Sequence, residues 1–143
     1  MPIITAVRRS YPEMLISCDT FLSPVAEQVL DDGADLINDI SAGTLQEKLS
    51  RRNAACVQMH TRETPATMNK LQHYADVTAD AARKQSQSIT NALDAGVKRW
   101  IVIADPGIGF TKTAAPSKQL LHEAAPFHRL SGHFPLLLGV NRK

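Results

Sequence analysis

No apolar run in this chain approaches the roughly 20 residues that a membrane-spanning helix requires. Charge of one sign is also scarce: 16 basic against 14 acidic residues leave a net +2, spread evenly. The largest basic clusters are Arg8-Arg9 and Arg51-Arg52, which read as solvated helix ends. Neither a nucleic-acid nor a membrane partner is expected on that basis. Cysteine is limited to Cys18 and Cys56, each inside an apolar run and neither in a C-x-x-C pair. A disulfide framework or a zinc site is therefore not expected, and two small buried thiols are. The N-terminus places Arg8-Arg9 after its short apolar stretch, the wrong order for a secretory signal. There is no internal repeat and no low-complexity linker, and 143 residues suffice for one domain, 1–143.

What is present is strict alternation of strand and helix patterns. Apolar strand candidates lie at Met14–Cys18, Asp35–Ile40, Ala54–Met59, Arg99–Ala104 and Pro135–Val140. Between them, Ser23-Pro24 opens a helix with serine as the expected N-cap, and Gly33 closes it. A short helix is expected from Thr44 to Arg52 and a long one over Asp76–Ala95, ended by Gly96. Another runs from Ser117 to Leu130, broken near Pro126, and a partial helix stands at the N-terminus. Such alternation implies parallel strands joined by right-handed crossovers. An open doubly wound sheet and part of a (β/α)₈ barrel both satisfy it.

Polar residues at the C-terminal end of every strand favour the barrel. They are Asp19, Asn38, Met59-His60, Asp105 and Asn141-Arg142-Lys143. An open sheet gathers ligand contacts at one switch point, whereas a barrel gathers them from all strands onto one rim. A full barrel takes about 250 residues, so five of eight strands suit this length. Asp105 opens the turn Asp105-Pro-Gly-Ile-Gly-Phe110. That turn fails both phosphate-loop patterns: Lys112 replaces the third glycine of one, and Thr111 the glycine before lysine in the other. Two carboxylates, an amide and a lysine at one rim suit a flat heterocycle with several N–H donors and a carbonyl. His73, His122, His128 and His133 lack metal-ligand spacing and read as surface residues.

In order, Ile16-Ser-Cys-Asp-Thr20, Gly33-Ala-Asp-Leu-Ile-Asn-Asp-Ile-Ser41, Met59-His60 with Thr64-Pro-Ala-Thr-Met68, Asp105–Phe110 and Gly139-Val-Asn-Arg-Lys143 resemble the dihydropteroate synthases. The resemblance covers nearly the whole chain and spans strands three to seven of that family's barrel, a single pterin-binding domain incomplete at both ends. It implies a transferase of folate synthesis and sulfonamide target. That enzyme condenses 7,8-dihydropterin-6-ylmethyl diphosphate with 4-aminobenzoate to give dihydropteroate and diphosphate. It implies that Asp105 takes the 2-amino group and ring N–H of the pterin, that Asn38 and Asp19 contact the same ring, and that Lys143 donates to its carbonyl. Met59 and Phe110 would be apolar walls; Arg142 and Phe110 would border the aminobenzoate. The resemblance also implies Mg²⁺ as cofactor, with its ligand outside this chain. Homodimers are common in the family, and its setting is intracellular: cytoplasmic, or mitochondrial in some eukaryotes.

The chain departs from the family pattern in several places. Asn141 stands where the family has serine, and Thr61 replaces the usual methionine after His60. The segment between Asn38 and Met59 is a few residues short. The first-strand Asn-Val-Thr-Pro-Asp-Ser-Phe motif, the second-strand loop and the last-strand Arg-x-His have no counterpart, so no residue is assigned to metal or diphosphate. The isolated chain is accordingly expected to be inactive. The alternatives are a metal-dependent hydrolase of another barrel family, using Asp19, His60 and Asp105, and a degenerate non-catalytic domain.

Overall fold

The computed structural model describes residues 2–39, 45–59, 76–109 and 114–140. In chain order the elements are α1 (Pro2–Ser10), β1 (Ser17–Asp19), α2 (Ser23–Asp31), β2 (Leu36–Asp39), α3 (Gln46–Arg52) and β3 (Ala55–Met59). They continue with α4 (Val77–Asp94), a 3-10 turn at Arg99–Ile101, β4 (Val102–Asp105), α5 (Ala114–His122) and α6 (Ala124–Leu130). All strand pairs are parallel, and the sheet order is β1-β2-β3-β4.

That order separates the two candidate architectures. A doubly wound sheet reverses direction at a switch point, which puts helices on both faces. Here every strand is added on the same side as the last, so right-handed crossovers place every connecting helix on one face. Register partners in a sheet share a face. Cys18, Ile37, Cys56 and Val102 form one such row. They pack against Ala26 and Val29 of α2, Leu49 of α3, and Ile89 and Ala92 of α4. The opposite face carries Asp19, Asn38, Met59 and Asp105. A sheet with helices outside and polar residues inside is a segment of a (β/α)₈ barrel.

Helix ends follow their chemistry. After α2, the Gly33 N–H bonds to Leu30 O (3.2 Å) and the Ala34 N–H to Val29 O (2.9 Å), a Schellman closure with Gly33 at φ 105°. After α4, Gly96 and Val97 repeat it on Leu93 O and Ala92 O, both at 2.9 Å. Asp76 caps the start of α4, its carboxylate accepting from the Thr78 and Ala79 N–H groups at 3.0 Å. α5 and α6 part at Glu123. Pro126 lacks the N–H that would bond to His122 O, and its ring crowds that carbonyl, so the helix restarts there.

Several expectations need correction. β1 begins at Ser17, not Met14, because side chains consume the earlier backbone groups. Arg8 donates to Met14 O (2.7 Å), and the Ile16 N–H donates to Asp35 Oδ2 (2.8 Å). Arg8 is thus more than a solvated helix end. Leu22, not Ser23, is the N-cap of α2: Ala26 N–H closes the first turn on Leu22 O at 2.9 Å. The fifth strand is reduced to one parallel bridge, Ala104 with Leu136. It comprises Ala104 N–H to Pro135 O (2.8 Å) and Leu137 N–H to Ala104 O (2.9 Å). Pro135 has no N–H for a ladder, and Gly139 contributes no side chain to packing. Cys18 is only half-buried, whereas Cys56 is buried; both are free thiols.

Candidate functional site

The candidate site lies where four strands end, as two register pairs offset by two residues. Asp19 and Asn38 are Cα partners across β1 and β2; Met59 and Asp105 are partners across β3 and β4. Asn38 pairs with Val57, two residues before Met59, so all four site residues lie on the inner face. Their burial grades across the rim. Asp19 is exposed and Asn38 half-buried, while Met59 (4% exposed) and Asp105 (7%) are enclosed. Asn38 Oδ1 is buried and finds no partner among the described residues. It is an acceptor already stripped of water.

Asp105 is held by its own turn. Its Oδ1 accepts from the Gly107 N–H at 2.8 Å, which fixes the carboxylate relative to the backbone. Gly107 and Gly109 have φ of 66° and 79°, a region that suits glycine. The Gly109 N–H donates to Ser117 Oγ of α5 (3.2 Å), and Ile108 packs against the buried cluster of Val77, Ala81, Ala82, Leu120 and Phe127. These contacts direct the Gly107 and Gly109 N–H groups into the protein, in keeping with the turn's failure as a phosphate loop. The turn holds its carboxylate rigidly.

Neither cysteine is primed for chemistry. Burial pushes the Cys56 thiol up to about 11, and burial together with the nearby Asp19 charge raises that of Cys18. Among the described residues no three His, Cys, Asp or Glu side chains gather into a metal site. The described part of the rim therefore does not fit a magnesium ion. His60, Phe110, Asn141, Arg142 and Lys143 lie outside the described residues. Of the other histidines, His128 and His133 stack edge to face at 5.1 Å, away from the rim.

One feature of the site has no strand-end signature: a buried polar layer behind β3. Gln58 and Gln85 are each 1% exposed and bonded to one another, and Ser88 joins them. The available signal was a glutamine at helical spacing within the apolar stripe Ala81, Ala82, Ile89 and Ala92.

A family model described as pterin binding enzyme matches residues 1–143. The dihydropteroate synthase of Synechocystis sp. is 38% identical over 147 residues, covering 100% of this chain and 50% of the relative. A Yersinia pestis dihydropteroate synthase solved with a sulfonamide drug superposes with a TM-score of 0.90 at 29% identity, over 99% of this chain and 52% of that one. The Thermus thermophilus enzyme solved with 4-aminobenzoate gives 0.89 at 34% identity, over 99% and 57%. The chain thus spans about half the length of these proteins.

Proposed function

The chain belongs to the pterin binding enzyme family, and we propose that it forms the pterin-recognising part of a dihydropteroate synthase. The observation that carries this is the placement of Asp19, Asn38, Met59 and Asp105 at the strand ends on the inner face of a barrel segment. Asp105, its Oδ1 set in place by the Gly107 N–H, accepts from the pterin's 2-amino group and ring N–H. Asn38 and Asp19 complete the ring contacts from the open side, and Met59 walls one face. Lys143 donates to the ring carbonyl, and Phe110 and Arg142 border the 4-aminobenzoate.

The reaction is a displacement at the methylene carbon joining pterin to diphosphate, with the amine of 4-aminobenzoate as nucleophile. As the C–O bond breaks, positive charge develops on the pterin. The enclosed carboxylate of Asp105 stabilises that charge and orients the ring, which serves this step better than a strong base. Groups that grip the diphosphate, and any Mg²⁺, come from outside these 143 residues.

The test is calorimetric titration with the pterin diphosphate. Asp105→Asn replaces an acceptor by a donor at the same size. Charge-assisted hydrogen bonds contribute about 1.5–3 kcal/mol, so affinity is expected to fall about 10- to 100-fold. Unchanged affinity sinks the assignment. The hydrolase alternative finds no support among the relatives; it predicts instead that a divalent ion binds to this chain and that Asp105→Asn abolishes that binding.

A further inference from the structure

We propose that Gln85, in the middle of α4, is a positioning residue that holds the inner wall of the ring site through the backbone of β3. This deepens the pterin assignment and rests on it.

Gln85 Nε2 donates to the main-chain carbonyl of Gln58 at 2.7 Å. That carbonyl belongs to the peptide whose nitrogen is Met59's. Gln58 is the Cα partner of Asp39 on one side and Ala104 on the other. Asp39 follows Asn38, and Ala104 precedes Asp105. The gripped peptide therefore lies among three of the four ring-binding residues. Ser88, one helical turn beyond Gln85, donates from Oγ to Gln58 Oε1 at 3.1 Å. The Ser88 carbonyl in turn accepts from Gln46 Nε2 of α3 at 3.0 Å. Two side chains of α4 thus hold one residue of β3, and α3 braces the helix that supplies them.

Packing alone does not call for glutamine at this position. The other buried residues along α4 are Val77, Thr78, Ala81, Ala82, Ile89 and Ala92, all apolar except Thr78. Gln85 Oε1 is buried and has no partner among the described residues. An unpaired buried amide oxygen is destabilising, and leucine would avoid it. What glutamine adds is direction: one short bond at a set angle, which locates the Met59 peptide relative to the Asp105 turn. A binding pocket needs such placement to within about 0.5 Å.

The experiment compares the wild-type protein with Gln85→Leu and Ser88→Ala. The probes are the pterin diphosphate and 4-aminobenzoate by calorimetry, with thermal unfolding alongside. Gln85→Leu is expected to weaken pterin binding about tenfold. Its aminobenzoate affinity and melting temperature are expected to be unchanged, or the latter raised. Ser88→Ala creates no large cavity and is expected to weaken pterin binding a few-fold, so it decides the matter should Gln85→Leu not fold. A lower melting temperature with unchanged pterin affinity assigns Gln85 a purely structural role and overturns the proposal. Equal weakening of both ligands does the same. A wild-type protein that binds no pterin, or binds it regardless of Asp105→Asn, removes the site itself and this proposal with it. Binding that depends on Asp105 but not on Gln85 or Ser88 overturns this proposal alone.

Discussion

Asp35 and Asp105 are both aspartates beside strand ends, yet only Asp105 lies at the candidate rim. Asp105 closes on its own turn at the rim. Asp35 precedes β2 at the opposite end, where it accepts from the Ile16 N–H and from Arg8 Nη2 at 2.5 Å. Arg8 also donates to Gly33 O (2.8 Å), Pro12 O (2.6 Å) and Met14 O (2.7 Å), tying α1 to the sheet. The Ile16 hydrogen bond, then the Arg8 contact, lowers the Asp35 carboxyl below its ordinary 3.8. A carboxyl lowered on folding adds stability above its unfolded pKa, and that stability is lost as pH falls through the folded value. Asp35→Asn should therefore melt below the wild type at pH 6, with the difference closing below about pH 4. A difference independent of pH between 6 and 3 would contradict this. No sequence pattern singled out Arg8 for this clamp; its role depends on Gly33 and Asp35, some 25 residues away.

At the scale of elements, helix boundaries were the most legible part of the chain because capping is local chemistry. Asp76, Gly33 and Gly96 mark their ends without reference to the rest of the fold. Asp76→Ala removes both cap bonds and should cost about 1 kcal/mol of unfolding free energy in a urea titration. Gly96→Ala should cost more. Its φ of 93° disfavours a side chain, and the added Cβ would lie 2.7 Å from Ser50 Oγ. About 1–2 kcal/mol is expected from the backbone alone. Equal stability of either variant with wild type would show that the end is held by packing. Strand limits were less legible. Ladder pairing depends on what competes for each N–H and C=O, and at Met14 and Ile16 the competitors come from α1 and Asp35.

For the whole molecule, the decisive feature is an open sheet. Leu15 is 85% exposed beside β1, with Met14, Phe21 and Leu22 also exposed; Leu137, Leu138 and Val140 are exposed on the other side. Among the described residues these apolar side chains lie at both edges of the sheet, which favours association. The 143-residue chain studied alone should sediment as concentration-dependent oligomers, and Leu15→Lys should shift it towards monomer. A monomer at every concentration would show these edges to be innocuous. The same chain should form no dihydropteroate from the two substrates, since no residue in it matches the family's diphosphate grip; measured turnover would overturn that.

The sequence by itself determined the alternation of strands and helices, the glycine closures after α2 and α4, and the placing of Asp19, Asn38 and Asp105 at or beside strand ends, because all of these are local preferences of a few residues. It also carried the family's ordered motifs. Only the tertiary structure decided that the strands add in one direction, which turns a set of strand ends into one rim. It alone showed that Leu136 contributes a bridge where a strand was expected, and that two glutamines far apart in the chain meet behind Met59. Such facts are long-range. They depend on which groups compete for the same hydrogen bond once the elements have packed, and no window of sequence contains all the competitors.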